Sequence, residues 1–321
     1  MIIVAALATA IIASGALIYF QYFSMNRLTI STTTSLDDTG LLEAIKRDYE
    51  SNHRVAIDFI PVGTGIALQH LKNGDVDLTL VHSPSSEKTL LESGDGVCRK
   101  IIAYNYFTIV GAPSDKAGIT GMNTTSALKR IVGYARNQTE DAHVWVTRGD
   151  NSGTHQKEQA LWKSAGFNYT TISKEQWYVN ASQSMGSTLT MADEFQAYTL
   201  SDIGTYLKYR TDGTINLTSY MNEEKALLNV YSAMAANQTR HPDRNFAGAI
   251  EFIKYLVSDR CQQLIEQYGV ANYSRSLFHG AVQPLKDDAP QNVVQWIKDY
   301  AFFSGTECPQ EYRDGHPELY D

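Results

Sequence analysis

From residue 28 onward, short apolar runs alternate with amphipathic stretches, and this alternation constrains the fold more than any other property of the chain. Residues 28–31, 55–60 and 76–81 have strand character. Residues 39–52, with Leu41, Leu42, Ile45 and Tyr49 on one face, and residues 66–72 have helical spacing. Strands separated by helices predict an α/β fold, with a parallel sheet covered on both faces. Two long apolar runs, 101–111 and 227–235, enclose a self-contained block. That block has helices near 125–137, 153–165, 187–195 and 202–209 and a strand at 143–146. A chain that leaves one unit and returns through two crossings predicts two lobes, residues 27–112 with 227–280 and residues 113–226, facing each other across a cleft. Helices at 245–257 and 259–268 complete the first lobe, and residues 281–321, with a helix around 293–300, form an appendage packing on it.

Charge and cysteine content exclude several classes. Lys and Arg number 27 against 35 Asp and Glu, a net charge of −8, which argues against a nucleic-acid partner. The histidines form no cluster at metal-ligand spacing, so no metal cation held directly by the protein is expected. Cys98, Cys261 and Cys308 match no zinc or redox motif; they allow one disulfide with one thiol left over, and structural cysteines are the default reading. Residues 1–26 carry no charged side chain, and residues 2–23 are almost wholly apolar, long enough for a transmembrane helix. A cleaved signal competes with an uncleaved membrane anchor, and the missing basic residues ahead of the apolar run favour the anchor. Asn-x-Ser/Thr triplets at Asn123, Asn137, Asn168, Asn180, Asn216, Asn237 and Asn272 fit a glycoprotein displayed on the extracellular or periplasmic side.

Chemistry concentrates in four polar turns, each opening a predicted helix. They are Ser31 to Ser35, Val62-Gly63-Thr64-Gly65, Arg148 to His155, and Ser182 to Ser187. The first turn of a helix leaves N–H groups without intrahelical partners, and those groups bind anions. Serine and threonine add rotatable donors, and glycine lets the backbone approach closely. Each turn also has an ordinary reading as an N-cap. Repetition in both predicted lobes, with Arg148 as a positive, bidentate donor, favours a cage for an oxyanion. Asp150 is expected to hold the fork of Arg148, with Asp37 and Asp38 turned to solvent or to helix N–H groups.

These residues carry a resemblance. The run Thr32-Thr33-Thr34-Ser35 followed by Gly40-Leu41-Leu42, then Val62-Gly63-Thr64-Gly65, Gly74-Asp75-Val76-Asp77 and Val81-His82, resembles the tungstate-binding component of Tup-type ABC transporters. So do Arg148-Gly149-Asp150 with Ser152-Gly153-Thr154-His155, Met185-Gly186-Ser187-Thr188-Leu189 and Asp202 with Gly204-Thr205-Tyr206. The match runs in order over residues 28–275. It implies a two-lobed, type II periplasmic-binding-protein-like fold that closes on tungstate or molybdate. No cofactor is implied, and the tungsten is held as its oxyanion. It further implies a monomer that hands the anion to a permease and an ATPase. Carried over position by position, the ligand contacts are Thr33, Thr34, Ser35, Thr64, Arg148, Ser152 and Thr154, with Ser184, Met185 and Gly186 as a fourth group. Asn151 departs from the family pattern, where a second acidic residue is common, and Gln183-Ser184 replaces a glycine-containing pair.

Two other classes compete. Asp150, Ser152 and His155 suggest a hydrolase, but no Gly-x-Ser-x-Gly elbow accompanies them, and His155 reads as a hydrogen-bonded packing residue. No enzymatic activity is expected. A tethered sensor of an oxyanion, or a receptor for sulfate or phosphate, would use the same fold; Trp296, Tyr300, Phe302 and Phe303 could then face a partner or pack against the protein itself.

Overall fold

The computed structural model describes residues 26–138, 142–221 and 223–321. The proposed anchor therefore lies outside the described residues, apart from Asn26. Among those described, no helix is long and apolar enough to cross a membrane.

The first part of the chain runs β1 (Asn26–Thr33), α1 (Thr34–Asp38), α2 (Leu41–Asn52), β2 (Val55–Val62), α3 (Thr64–Asn73), β3 (Leu78–Val81), α4 (Pro84–Glu92) and β4 (Gly96–Gly111). Next come α5 (Thr124–Ala135), β5 (Trp145–Thr147), α6 (Gly153–Ser164), α7 (Tyr169–Ile172), β6 (Tyr178–Asn180), α8 (Met185–Phe195), β7 (Thr199–Asp202), α9 (Ile203–Thr211) and β8 (Thr218–Ser219). The chain then continues through β9 (Leu228–Ala236), α10 (Phe246–Leu256), α11 (Asp259–Gln267), α12 (Val270–Tyr273), β10 (His279–Gly280), α13 (Val282–Asp287) and α14 (Gln291–Ala301).

The sheet is mixed rather than wholly parallel. Its order is β10-β4-β9-β3-β1-β2, with β7 and β8 also pairing with β4. β1 is parallel to β2 and β3, but β9 is antiparallel to both β3 and β4. The expected all-parallel sheet fails because the late strand β9 inserts between β3 and β4 and runs against both. β4 is buried along its whole length and changes partners within it. Tyr106 and the residues before it pair with β9, while Phe107 to Val110 pair with β7.

Three buried clusters carry most of the apolar core. The largest is built on β1 with α2, α10 and α11, through residues such as Leu28, Ile45, Phe252 and Ile265. A second surrounds Trp145 and Trp162 and reaches Phe107, Ile297 and Ala301. The appendage residues Phe303 and Cys308 join a third, with Leu71 and Met234. The appendage side chains named above thus pack inward, Phe303 fully and Trp296, Tyr300 and Phe302 in part.

The start of β4 is held by charges as well as by the apolar contacts of Val97 and Cys98. Arg99 is fully buried and donates to Glu87, 2.7 Å away, and to the carbonyls of Ala301 and Glu307. Glu307 also receives Lys100 and the N–H of Ile101. The three cysteines are buried thiols with no disulfide between them. Several Asn-x-Ser/Thr triplets have a local structural reason. Asn123 and Asn168 cap α5 and α7, and the Oδ1 atoms of Asn180 and Asn237 accept N–H groups two residues on.

Candidate functional site

The turns that open α1, α3, α6 and α8 come together where β1, β2 and β5 end. Thr33 caps α1 by accepting from the N–H of Leu36, and Ser152 caps α6 by accepting from the N–H of His155. The ordinary capping role is therefore real at both. It accounts for one acceptor of each hydroxyl and leaves the rotatable hydrogen to be placed. α3 begins after Gly63, and Ser184 makes no side-chain cap for α8, so neither helix has its first turn capped by a side chain.

Specific contacts join these ends. The N–H of Gly153 donates to Thr64 Oγ1 at 3.1 Å, tying the start of α6 to the start of α3. Ser35 Oγ lies 3.5 Å from His82 Nε2 and 3.4 Å from Thr33 Oγ1. A Cβ on Gly153 would stand 2.6 Å from Cε1 of His82. α1 lies against α8, and Lys208 Nζ donates to the carbonyl of Asp38 at 2.6 Å. Thr33, Ser35, Thr64, Ser152 and Thr154 are all buried, whereas Thr34 and Ser184 are half-buried. Met185 has its side chain in the apolar core, and Gly186 has the Tyr209 hydroxyl where a side chain would begin. Both can serve an anion only through backbone N–H groups.

Arg148 sits at the centre of the electrostatics. Its side chain is 3% exposed, and its guanidinium donates to Asp150, whose other oxygen accepts from the N–H of Ser152 at 3.1 Å. Asp150 therefore fixes both the fork and the turn. That turn needs left-handed backbone at Gly149 (φ 62°) and at Asn151 (φ 57°). Asparagine tolerates this conformation, as aspartate does, so the backbone here accepts either residue and does not explain the departure at position 151. Three buried polar atoms in these turns have no hydrogen-bond partner: Thr32 Oγ1, Arg148 Nε and Thr154 Oγ1. Buried donors are ordinarily paired, so unpaired ones mark a place for a ligand or water.

The carboxylates nearby are largely engaged. Asp202 is buried and accepts from the N–H and hydroxyl of Thr205, with burial raising its pKa and Arg148 opposing that rise. Burial likewise raises Asp38, against the pull of Lys208 and Arg148. Asp37 is exposed.

His82, quoted above within a motif but given no role there, lies at this site, with Nε2 3.5 Å from Ser35 Oγ. Asn229 Nδ2 gives its hydrogens to Asn105 Oδ1 and Tyr231 Oη, so Asn229 Oδ1 must accept from His82 Nδ1 at 2.9 Å. Burial lowers the ring to about 4, and Arg148 and Lys157 add to the shift, so the ring is neutral at pH 7 with a lone pair on Nε2. No linear signal announces this role, because it depends on Asn229 on a distant strand.

His155 is a packing residue. Its Nδ1 accepts from the N–H of Asn151, and its Nε2 meets Tyr169 Oη at 2.6 Å. Ser152 and His155 are joined only through the backbone cap, not as a nucleophile and base. Lys157, also on α6, is buried to 8% exposure, which lowers its pKa to about 7. An unfolded lysine titrates near 10.4, so between about pH 7 and that value the unfolded chain binds more protons. Stability from this group therefore rises with pH across that window. Lys157→Met is expected to stabilise the protein most at and below pH 7, with the gain shrinking toward pH 10; thermal melts of both proteins against pH check this.

The mixed α/β fold, with helix N-termini gathered at the strand ends, is that of a periplasmic-binding-protein-like domain. A family model described as a PBP superfamily domain matches residues 21–260. The tungstate-binding protein TupA of Peptoclostridium acidaminophilum is 36% identical over 251 residues, covering 78% of this chain and 84% of the relative. TupA of Campylobacter jejuni is 34% identical over 240 residues, covering 74% and 86%. The chain belongs to this family of tungstate-binding proteins within the PBP superfamily. Among solved structures, the tungstate-binding protein TupA of Desulfovibrio alaskensis G20 superposes with a TM-score of 0.67 at 36% identity, covering 79% of this chain and 98% of that one. A tungstate ABC transporter structure from Geobacter sulfurreducens gives 0.67 at 39% identity, covering 75% and 98%.

Proposed function

We propose that this chain is the extracytoplasmic binding component of an ABC transporter. It captures tungstate, or the closely matched molybdate, between two lobes made of residues 27–112 with 227–280 and residues 113–226. The observation that carries the reading is that Arg148, a buried guanidinium, has an unpartnered Nε, and that Thr154, on the helix opened by the same turn, has an unpartnered buried hydroxyl. Arg148, Ser35, Thr64 and Thr154 supply side-chain donors, and the first turns of α1, α6 and α8 supply backbone N–H groups. Thr33, Thr34, Ser152 and Ser184 complete the shell.

Selectivity follows from donor chemistry. Tungstate carries no proton at neutral pH, so it accepts from every side. Hydrogen phosphate brings a donor of its own, and the carboxylates of Asp150 and Asp202 are already engaged. A phosphate proton left unpaired costs about 1–3 kcal/mol. Sulfate has no proton, and its smaller size is what separates it.

A permease and an ATPase are the partners, and residues 1–26 tether the domain to the membrane. Most of the triplet asparagines are exposed, but the side chains of Asn123, Asn137, Asn168, Asn180 and Asn237 are hydrogen-bonded, so glycans would attach first at Asn216 and Asn272. A mass shift on glycosidase treatment of the native protein tests that attachment.

Calorimetric titration with tungstate, molybdate, sulfate and phosphate tests the central reading. Tight binding of the first two, with little heat from the others, is expected; no response to any of the four sinks it. Gly153→Ala probes the lobe contact. His82 is held by Asn229 and cannot retreat, so the added methyl should weaken tungstate by about 1–3 kcal/mol. Measured affinity equal to wild type would place the closing contact elsewhere.

A further inference from the structure

We propose that the cavity between α4, α6 and α14 is a second ligand site, one that takes a small monocarboxylate with an apolar body. The cavity encloses about 830 Å³ and includes His82 and Gly153 in its lining, but not Arg148, Ser152, Thr154 or Ser35. Its volume falls in the usual range for small-molecule pockets. Ala160 and Leu161 on α6 form one apolar wall, and Tyr300 on α14 contributes an aromatic one.

The charges in the lining point to the class of ligand. Lys225 is paired with Asp299, and Glu224 accepts from the N–H and hydroxyl of Thr124. Lys157 remains. Its Nζ donates to one acceptor, the carbonyl of Leu228 at 2.8 Å, and lies over the rings of Tyr300 at 4.4 Å and Phe107 at 5.8 Å. Burial alone accounts for its depressed pKa, and no described carboxylate pairs with it. An ammonium has three donors, so a buried one with a single acceptor is under-satisfied. A carboxylate entering the cavity supplies the missing acceptor, while its apolar body covers Ala160, Leu161 and the Tyr300 ring. A dianion fits less well, because only one cation lacks a counter-charge and Glu224 and Asp299 share the space.

The test uses para-fluorobenzoate, followed by fluorine NMR on the full chain, with para-fluorobenzyl alcohol as the neutral control. Saturable broadening of the acid, absent for the alcohol, is expected. Lys157→Met should weaken the acid at least about tenfold, the loss of one buried charge-assisted pair. Ala160→Trp places a bulky ring at the apolar wall beside Leu161, leaves Lys157 in place and should weaken binding as well. Calorimetry at about pH 8 in buffers of different ionisation heat should show proton uptake on binding, because the anion restores the ammonium. That uptake should vanish in Lys157→Met. Lack of saturation up to about 10 mM, a range that covers weak binding, overturns the proposal. So does affinity unchanged in either variant, or equal binding of the alcohol.

Discussion

Arg148→Ala is expected to weaken tungstate and molybdate together by about 2–4 kcal/mol, or roughly thirtyfold to a thousandfold in Kd. Three terms add in the same direction. In the proposed site the guanidinium supplies a positive charge, it is buried, and its loss leaves Asp150 without its partner. An unpaired carboxylate beside a dianion is repulsive as well as unhelpful. Arg148→Lys should recover part of the charge term but not the fork, because an ammonium cannot hold Asp150 and an oxyanion with the same planar geometry. Titration calorimetry on wild type and both variants gives the order wild type, lysine, alanine. An alanine variant that binds as tightly as wild type would remove Arg148 from the pocket and with it the reading of the whole site.

A comparably large effect is expected on folding rather than binding. Glu87 is fully buried and accepts from the N–H of Ser83, from Arg99 Nε and from Ser232 Oγ, each at 2.7 Å. Glu87→Ala leaves the Arg99 cation in the core with only two carbonyls and the Phe303 ring, 4.5 Å away. Removing one partner of a buried ion pair costs about 3–5 kcal/mol, because the surviving charge stays desolvated. Urea unfolding should show a shifted midpoint with little change in slope. A shift below about 1 kcal/mol, the scale of an exposed pair, would mean that Arg99 finds other compensation when Glu87 is gone.

Much of the architecture was legible because period and burial agree. The apolar face of α2 and the alternation of β1, α2, β2, α3 and β3 follow from local spacing alone. The first residues of β4 did not read as strand, since Arg99 and Lys100 interrupt an otherwise apolar run. Their neutralising partners, Glu87 and Glu307, lie on other elements, and no local pattern foretells such pairing. α4 was missed for a related reason: its start is serine-rich, and Glu87 on its inner face looks like a surface residue. In the site, hydroxyl- and glycine-rich turns were visible because anion cages need those residue types. The role of His82 was not, because its tautomer is set by Asn229, Asn105 and Tyr231. Nothing local marks Lys157, whose surroundings include Tyr300 from the distant α14.

β4 belongs to two neighbourhoods at once, and this has a mechanical consequence. Up to Tyr106 its hydrogen bonds hold it to β9, and from Phe107 they hold it to β7. A swing of one neighbourhood against the other cannot be taken up by sliding, since both ladders fix the register. It would be absorbed in the φ and ψ angles flanking the Tyr106–Phe107 peptide, where one ladder ends and the next begins. The chain crosses back between β8 and β9, so that connection and the β4 junction together would set the axis of any such rotation. A rotation about that axis would open or shut the mouth of the proposed anion site as a wedge, with travel increasing with distance from the axis.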